Sequence, residues 1–164
     1  MARSLEILGD WWTLLIVRDA FMGVRRFDDF QEHLGIARNI LSARIRRLTD
    51  FGIFERELYQ ARPKRYEYVL TESGKDLKIV LFAIKQWGDK HTFEGDEHPL
   101  CIVHKDCGSE ISVDAVCKSC NEVLSNDYDN VDWTAGEDLS EQDRKVYTQF
   151  KANSYFEEHQ GNAP

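Results

Sequence analysis

Hydrophobic residues recur at helical spacing through the first part of the chain. The apolar positions between residues 5 and 8 predict a short first helix, and Asp10 follows it in a position to cap a second helix. The body of that second helix is mostly apolar and ends at a glycine (Trp12, Leu15, Ile16, Ala20 and Gly23). Because aromatic residues in an apolar helix usually pack into a core, we predict that Trp11 and Trp12 are both packing residues.

Two further short helices, joined by a glycine, are predicted between residues 27 and 50. Phe27, Phe30 and Leu34 lie at helical spacing, and Gly35 supplies the left-handed residue that ends the helix. The next helix, Ala37 to Asp50, has its large apolar residues on one stripe (Leu41, Ile45 and Leu48). A sharp turn is therefore expected between two amphipathic helices.

The pattern changes from helical to β-type after Gly52. Ile53 to Tyr59 and Arg65 to Leu70 predict two strands, and the loop between them, Gln60 to Lys64, contains Pro63. Two helices joined by a tight turn and followed by a hairpin predict a winged helix-turn-helix, in which the hairpin is the wing.

A long helix is predicted after the hairpin, with Thr71 as its N-cap and an end near His91. Its apolar stripe is longer than a small winged domain needs to cover its core (Leu77, Val80, Leu81, Ile84 and Trp87). The predicted fold class is α+β, mainly helical: a winged helix-turn-helix domain followed by a small Cys/His annex and a C-terminal acidic helix.

The outer face of the helix from Ala37 to Asp50 carries side chains that can read DNA bases. The residues that point away from the apolar stripe, or border that outer face, are Arg38, Asn39, Ser42, Ala43, Arg46 and Arg47. Arginine can pair with guanine and asparagine with adenine in the major groove, and small residues let the helix backbone approach the bases. The wing offers three cations for phosphate contacts (Arg62, Lys64 and Arg65).

An arginine-rich helix can also be a solvated surface, and the distribution of charge decides between the two interpretations. Residues 36–65 contain eight basic and three acidic side chains, although the whole chain has a formal net charge of −8. Residues 1–95 carry 16 basic and 14 acidic side chains, whereas residues 96–164 carry 5 and 15. The acidic excess belongs to the C-terminal part, so we predict that the helix-turn-helix binds double-stranded DNA.

As a set, these motifs resemble the HxlR-type winged-helix transcription regulators, which are related to the MarR group. The resemblance covers roughly residues 3 to 91 and rests on several short stretches (Leu8 to Ile16, Arg25 to Phe27, Phe30, Leu41 to Ile45, Gly52, Pro63 to Tyr68, and Leu70 to Gly74). It implies a homodimer formed through the first helix and the helix from Thr71 to His91. The dimer contacts expected from it are Leu5, Leu8, Leu81, Ile84 and Trp87.

Two positions depart from the pattern of this family. Many members have a cysteine just before the first helix, which is absent here, and the recognition helix often begins with a serine where this chain has Ala37. Alanine cannot cap a helix, which costs on the order of 1 kcal/mol unless Asn39 or a DNA phosphate satisfies the free amides.

All four cysteines follow the winged domain within a short stretch. His104 and Cys107 have the same spacing as Cys117 and Cys120, and each pair is followed by a residue that tolerates a positive φ, a glycine and an asparagine. This spacing predicts a small zinc ribbon with one structural zinc ion held by these four side chains. Cys101 lies on a predicted strand, Leu100 to Val103, and is expected to pack behind the site.

Other interpretations of the cysteines remain open at this point. They are an all-cysteine site in which Cys101 replaces His104, disulfide bonds, a redox Cys-x-x-Cys motif, and free buried cysteines. Disulfide bonds are disfavoured if the protein is cytoplasmic, which is the location we predict because neither a signal peptide nor an apolar run of membrane-spanning length is present. We therefore expect no membrane partner.

Composition predicts three regions: a DNA-binding and dimerisation domain (1–93), a zinc-ribbon-like annex (94–125) and an acidic tail (126–164). In the tail, Ser140 is placed to cap a helix that brings Val146 and Phe150 together. The residues predict DNA binding, and with the resemblance to the HxlR-type regulators the predicted function is a dimeric DNA-binding transcription regulator. The alternative is a winged-helix module that binds another protein through the acidic segment. No phosphate loop or nucleophile motif points to an enzyme.

Overall fold

A computed structural model of the chain describes residues 1–93 and 100–124, together with Glu141, Arg144, Lys145 and Thr148. The chain divides into two compact units, Met1–Val113 and Asp114–Pro164. In chain order the elements are α1 (Ala2–Leu8), α2 (Trp11–Phe21), α3 (Phe27–Leu34), α4 (Arg38–Asp50), β1 (Phe54–Ala61), β2 (Lys64–Leu70), α5 (Glu72–Asp76), α6 (Lys78–Thr92), β3 (Ala115–Val116) and β4 (Val123–Leu124).

The start of α2 has the predicted cap but only one of the two predicted core tryptophans. The backbone N–H of Trp12 donates to the Asp10 carboxylate at 3.0 Å, and the Trp12 ring packs against the core. The prediction for Trp11 is wrong, because this side chain is 64% exposed. Successive residues of a helix point about 100° apart, so the two rings cannot both face the core.

Helices α3 and α4 form the predicted helix-turn-helix. Gly35 adopts the left-handed conformation, with φ 61°, and ends α3. The stripe of Leu41, Ile45 and Leu48 is buried, as predicted. Ala37 stands at the N-cap of α4, and no side-chain cap hydrogen bond is formed there. The Asn39 side chain therefore does not replace the missing cap.

The hairpin is antiparallel and pairs from Phe54 opposite Leu70 to Ala61 opposite Lys64, with a bulge between Leu58 and Gln60. The strands are longer and the loop shorter than the sequence predicts. The tip consists of Arg62 and Pro63, which are joined by a cis peptide bond.

One hydrophobic core holds these elements together. It consists of buried residues from α2, α3, α4 and the hairpin with its flanks (Ile16, Val17, Phe30, Ile36, Leu41, Ile45, Leu48, Ile53, Phe54 and Leu70). The rings of Phe30 and Phe54 lie 6.2 Å apart between their centroids, a tilted arrangement that aromatic pairs favour. This core fixes α4 against the base of the wing.

The single long helix predicted from Thr71 to His91 is wrong, because α5 and α6 are separate. Thr71 is the predicted cap and accepts a hydrogen bond from the Gly74 N–H at 3.1 Å. The chain then tightens at Leu77, whose N–H donates to the Gly74 carbonyl at 3.2 Å, a bond that spans only three residues. Leu77 packs against the core, and α6 begins after it, at Lys78.

The Gln86 side chain connects α6 to the segment that follows this helix in the first unit. The Gln86 amide accepts from the Val113 N–H at 2.6 Å and donates to the Val113 carbonyl at 2.9 Å. The strand predicted over Leu100 to Val103 is wrong, since only Val103 forms a β-bridge, with Glu110. A single bridge leaves the backbone around Cys101 without regular strand structure.

The second unit contains β3 and β4, which pair in antiparallel fashion. The four described residues of the tail are helical, and in that segment Lys145 lies 3.6 Å from Glu141. The predicted cap Ser140 and the apolar residues Val146 and Phe150 lie outside the described residues. No helix in the described part of the chain combines the length and the apolar character needed to span a bilayer.

Candidate nucleic-acid interface

The outer face of α4 is exposed, as its amphipathic pattern predicts. All six residues assigned to base reading or close approach lie on this surface (Arg38, Asn39, Ser42, Ala43, Arg46 and Arg47). Their exposure follows from the burial of the opposite stripe, which anchors the helix on the core.

Two of the arginines on this face have partners within the chain. The Arg38 guanidinium donates to Asp28 at 3.2 Å and to Gln31 at 3.3 Å, and it lies 4.7 Å from the centre of the Phe27 ring. These contacts join the N-terminal end of α4 to α3. Arg38 is still exposed, and ion pairs at the surface contribute little to stability. A DNA phosphate can therefore replace these contacts.

Arg47 connects the recognition helix to the first helix. Its guanidinium donates to the backbone carbonyl of Glu6 in the last turn of α1 and lies 5.4 Å from the centre of the Phe51 ring. The last carbonyls of a helix accept no hydrogen bond from within the helix, so Arg47 satisfies one of them.

Arg44 has a structural role that its sequence position did not indicate. Its guanidinium donates to Asp10 at 2.7 Å, and both side chains are half-buried. Asp10 therefore caps α2 and holds α4 with the same carboxylate. The cap was predictable from the position of Asp10 before an apolar helix, whereas a partner 34 residues away was not.

Arg46 is the arginine of α4 that stays available. It is exposed, and in the part of the chain that the structure describes it makes no hydrogen bond, ion pair or ring contact. A guanidinium with all its donors open can form the bidentate pair with a guanine edge. Ser42 and Ala43 lie one turn earlier on the same face, where small side chains leave room for the bases.

The wing presents its three cations around the hairpin tip. Arg62, Lys64 and Arg65 are exposed, and none of them pairs with an acidic side chain within the described ranges. The Gln60 amide donates to the Arg62 carbonyl at 3.0 Å and closes the tip. Unpaired cations on a short, closed loop are suited to phosphate contacts.

Arg26 fixes the wing to the helix-turn-helix. It forms a β-bridge with Glu67, and its guanidinium donates to the Glu67 carboxylate at 3.0 Å. This hydrogen bond raises the pKa of Arg26, with a smaller contribution from Tyr59. The guanidinium also lies over the Tyr59 ring at 4.6 Å. These contacts attach β2 to the chain segment that leads into α3.

The four residues assigned to zinc are divided between the two units. His104 and Cys107 belong to the first unit, Cys117 and Cys120 to the second, and all of the cysteines are free. Among the residues that the structure describes, no three His, Cys, Asp or Glu side chains group closely enough to hold a metal ion.

Local hydrogen bonds favour the thiolate form of one cysteine in each unit. The Ser109 hydroxyl, the Ser109 backbone N–H and the His104 ring lower the pKa of Cys107 to about 7. The backbone N–H groups of Cys120 and Ser119 lower the pKa of Cys117. Thiolates are the form of cysteine that binds metal ions.

The two helices, the tight turn at Gly35 and the wing define a winged helix-turn-helix protein. The model of the HxlR-like helix-turn-helix family matches residues 7–96. The chain belongs to this family.

A relative in Mycobacterium tuberculosis, named as an uncharacterised HTH-type transcriptional regulator, is 41% identical over 125 residues, which cover 76% of this chain and 79% of the relative. A match over 125 residues of this chain must end at residue 125 or later, so it continues past residue 96, where the family model ends. Two solved structures of proposed transcription factors are also similar. PA1607 has a TM-score of 0.72 at 36% identity, over 84% of this chain and 93% of that one.

The second structure, PA1374 from Pseudomonas aeruginosa, has a TM-score of 0.65 at 37% identity, over 88% of this chain and 97% of that one. The similarity therefore extends over most of both molecules and includes more than the winged domain.

Proposed function

We propose that this chain is a homodimeric transcription regulator that binds double-stranded DNA, with α4 in the major groove and the hairpin tip on the phosphate backbone. The observation that carries the proposal is Arg46, exposed and without a partner among the described residues, on the outer face of a helix whose other side is fixed in the core. Relatives named as transcriptional regulators support a regulator over an enzyme.

The division of roles follows from the partners of the basic residues. Arg46, with Asn39 and Ser42 beside it, is assigned to base edges because these side chains are exposed on α4. Arg62, Lys64 and Arg65 are assigned to phosphates. Arg38 and Arg47 have partners within the chain and are assigned to positioning α4. Each could exchange its partner for a DNA phosphate.

Dimerisation is part of the proposal because one recognition helix reads too few base pairs for specificity, whereas two helices about 34 Å apart read two half-sites. Of the expected contact residues, Leu5, Ile84 and Trp87 are 58%, 47% and 62% exposed. Leu81 packs against the core of its own chain, so less of its side chain is available for a dimer contact. Large exposed apolar side chains on two helices favour an interface in which a second copy of the chain buries them.

Selection of bound sequences from a random duplex pool tests this function, using the full chain. We expect enrichment of a palindrome whose half-sites are about one helical turn apart, and an affinity that falls steeply as salt rises. A pool without enrichment, bound weakly and without salt dependence, would contradict the proposal. That result would favour the protein-interaction module.

A further inference from the structure

The wing is bonded to the chain segment that precedes α3, and the contact lies near the middle of β2. The backbone N–H of Tyr68 donates to the Arg25 carbonyl at 2.8 Å, and Arg26 forms an antiparallel β-bridge with Glu67. At this point β2 therefore has a backbone neighbour on both edges. On one side it pairs with β1, and on the other with the residues that lead into the helix-turn-helix.

The side chains of the bridge extend this contact to β1. The Arg26 guanidinium donates to the Glu67 carboxylate at 3.0 Å, and it lies over the Tyr59 ring, 4.6 Å from its centre. Tyr59 is the extra residue of the bulge between Leu58 and Gln60. A bulge turns a side chain out of the regular alternation of a strand, and here the bulged side chain meets Arg26. One guanidinium therefore contacts both strands of the wing.

The exposure of the ion pair shows that its contribution to stability is small. The side chains of Arg26 and Glu67 are 53% and 19% exposed, and surface ion pairs contribute little to the free energy of unfolding. Glu67 also lies directly opposite Glu57 in the hairpin, and like charges in this arrangement are destabilising. The contact is therefore better suited to fixing the orientation of the wing than to holding the fold together.

The charge of Glu67 is unfavourable for DNA binding. Glu67 stands three residues after Lys64 on the same strand, which corresponds to about 10 Å along a strand. Over that distance, about one Debye length at moderate salt, a carboxylate still repels the phosphates that the cation would bind. Through its charge alone, Glu67 would weaken binding to DNA.

We propose that Glu67 is a positioning residue for DNA binding, which holds Arg26 and thereby sets the angle of the wing. The angle lets the three wing cations reach the phosphate backbone while α4 lies in the major groove. This role rests on the proposed function, because it concerns the same DNA surface. It gives an acidic side chain an effect on DNA affinity that is opposite in sign to the effect of its charge.

The test is the affinity of the full chain carrying Glu67→Gln for the best selected duplex, measured over a range of salt concentrations. We expect binding weaker by about threefold or more, and a slope of log affinity against log salt smaller by about one for each phosphate that the wing no longer reaches. A carboxylate that acts only through its charge predicts the opposite, because its removal favours an anionic partner. Equal or tighter binding by Glu67→Gln would overturn the proposal.

Glu57→Gln is the matched control. Glu57 is exposed and lies opposite Glu67, so the two carboxylates are on the same face of the hairpin. In the part of the chain that the structure describes, the Glu57 side chain forms no hydrogen bond or ion pair. Its replacement removes the same charge and should leave DNA affinity unchanged or increase it. A loss equal to that of Glu67→Gln would show that the effect does not depend on Arg26, and the proposal would fail.

A double variant tests whether Glu67 acts through Arg26. If it does, Glu67→Gln weakens DNA binding in the wild type and causes no further loss when it is added to Arg26→Met. The two substitutions remove opposite ends of one contact, so their effects on affinity should not add. Losses that add in full would contradict a role that depends on Arg26.

Hydrogen exchange without DNA separates a displaced wing from an unfolded domain. In Glu67→Gln the Tyr68 amide should exchange faster than in the wild type, while the Ile45 amide in the buried part of α4 keeps its protection. Unchanged exchange at Tyr68 would overturn the proposal. Lost protection at Ile45 would also overturn it, because Glu67 would then be a residue on which the fold itself depends.

The wild type separates failure of this role from failure of the proposed function. If the wild-type chain shows no salt-dependent binding to any duplex, the proposed function fails and the positioning role fails with it. If the wild type binds and Glu67→Gln binds equally well, only the positioning role is wrong.

Discussion

Asp10 and Arg44 join the second helix to the recognition helix, with 2.7 Å between the carboxylate and the guanidinium. The other oxygen of the same carboxylate accepts from the Trp12 N–H and caps α2. One side chain therefore stabilises a helix end and positions the surface that faces DNA, although it lies outside that surface.

We expect Asp10→Ala to lower the free energy of unfolding by about 1 to 3 kcal/mol, because it removes a helix cap and leaves a half-buried guanidinium without its partner. Asp10→Asn is the control, since it keeps an oxygen for the cap and loses the charge. Denaturant unfolding of the single variants, Arg44→Ala and the double variant should give a coupling of at least about 0.5 kcal/mol. Additive effects would mean that the contact contributes nothing to stability.

Arg46 should determine base preference. We expect Arg46→Ala to weaken binding to the best selected duplex by about 1 to 3 kcal/mol and to relax the preference at one base pair in each half-site. The measurement is affinity for that duplex and for its single-base variants. If Arg46→Ala weakens all duplexes to the same extent, the residue contacts phosphate and the orientation of α4 in the groove is wrong.

The wing residues should behave in the opposite way. Arg62→Ala and Lys64→Ala are expected to weaken binding to every duplex alike and to reduce the slope of log affinity against log salt by about one for each phosphate that the variant no longer neutralises. Lys78→Ala, an exposed cation at the start of α6, is the matched control and should leave the slope unchanged. A base-dependent loss of affinity in Arg62→Ala would place the tip in a groove.

The exposed side of α6 gives a test of assembly. Ile84→Glu should convert the proposed dimer to a monomer in sedimentation experiments and leave the winged domain folded, as circular dichroism would show, because Ile84 is 47% exposed in the single chain. Leu81→Glu is the contrasting variant, since Leu81 packs against the core and its replacement should destabilise the fold. A dimer that survives Ile84→Glu would move the interface away from this face.

Gly74 and Gly88 give a matched pair for stability. A Cβ added at Gly74 would lie 2.3 Å from the Ile53 carbonyl oxygen, whereas at Gly88 the nearest atom is 3.9 Å away. Gly74→Ala should therefore lower the melting temperature, because backbone must shift. Gly88→Ala should raise the free energy of unfolding by up to about 1 kcal/mol, since alanine favours the helix. Equal effects in thermal unfolding would contradict the close approach at Gly74.

The sequence predicts the winged domain well because its local patterns agree with its burial. The spacing of Leu41, Ile45 and Leu48 indicates the buried side of α4, and thereby the outer face that carries Arg46. Gly35 ends α3 because a residue without a side chain adopts the left-handed conformation easily. Asp10 begins α2 because its carboxylate caps the helix. These features depend on residues close together in the sequence.

The features that the sequence does not predict depend on distant contacts. Leu77 interrupts a continuous apolar pattern because the core holds it there, and no glycine or proline marks the break. The apolar surroundings of Trp11 suggest burial, yet its neighbour occupies the side that faces the core. The partners of Arg38 and Arg47 come from α3 and α1, so these arginines cannot be distinguished from Arg46 by position alone.

The bond between Arg47 and the Glu6 carbonyl has a thermodynamic consequence for regulation. It connects the end of α1, one of the two helices proposed to form the dimer, directly to the helix proposed to enter DNA. Any ligand or partner that binds better when this bond is made must tighten DNA binding, if DNA also prefers the bonded state, and DNA must tighten the binding of that partner by the same factor. Arg47 is therefore the place where the proposed assembly and the proposed DNA binding would be coupled energetically.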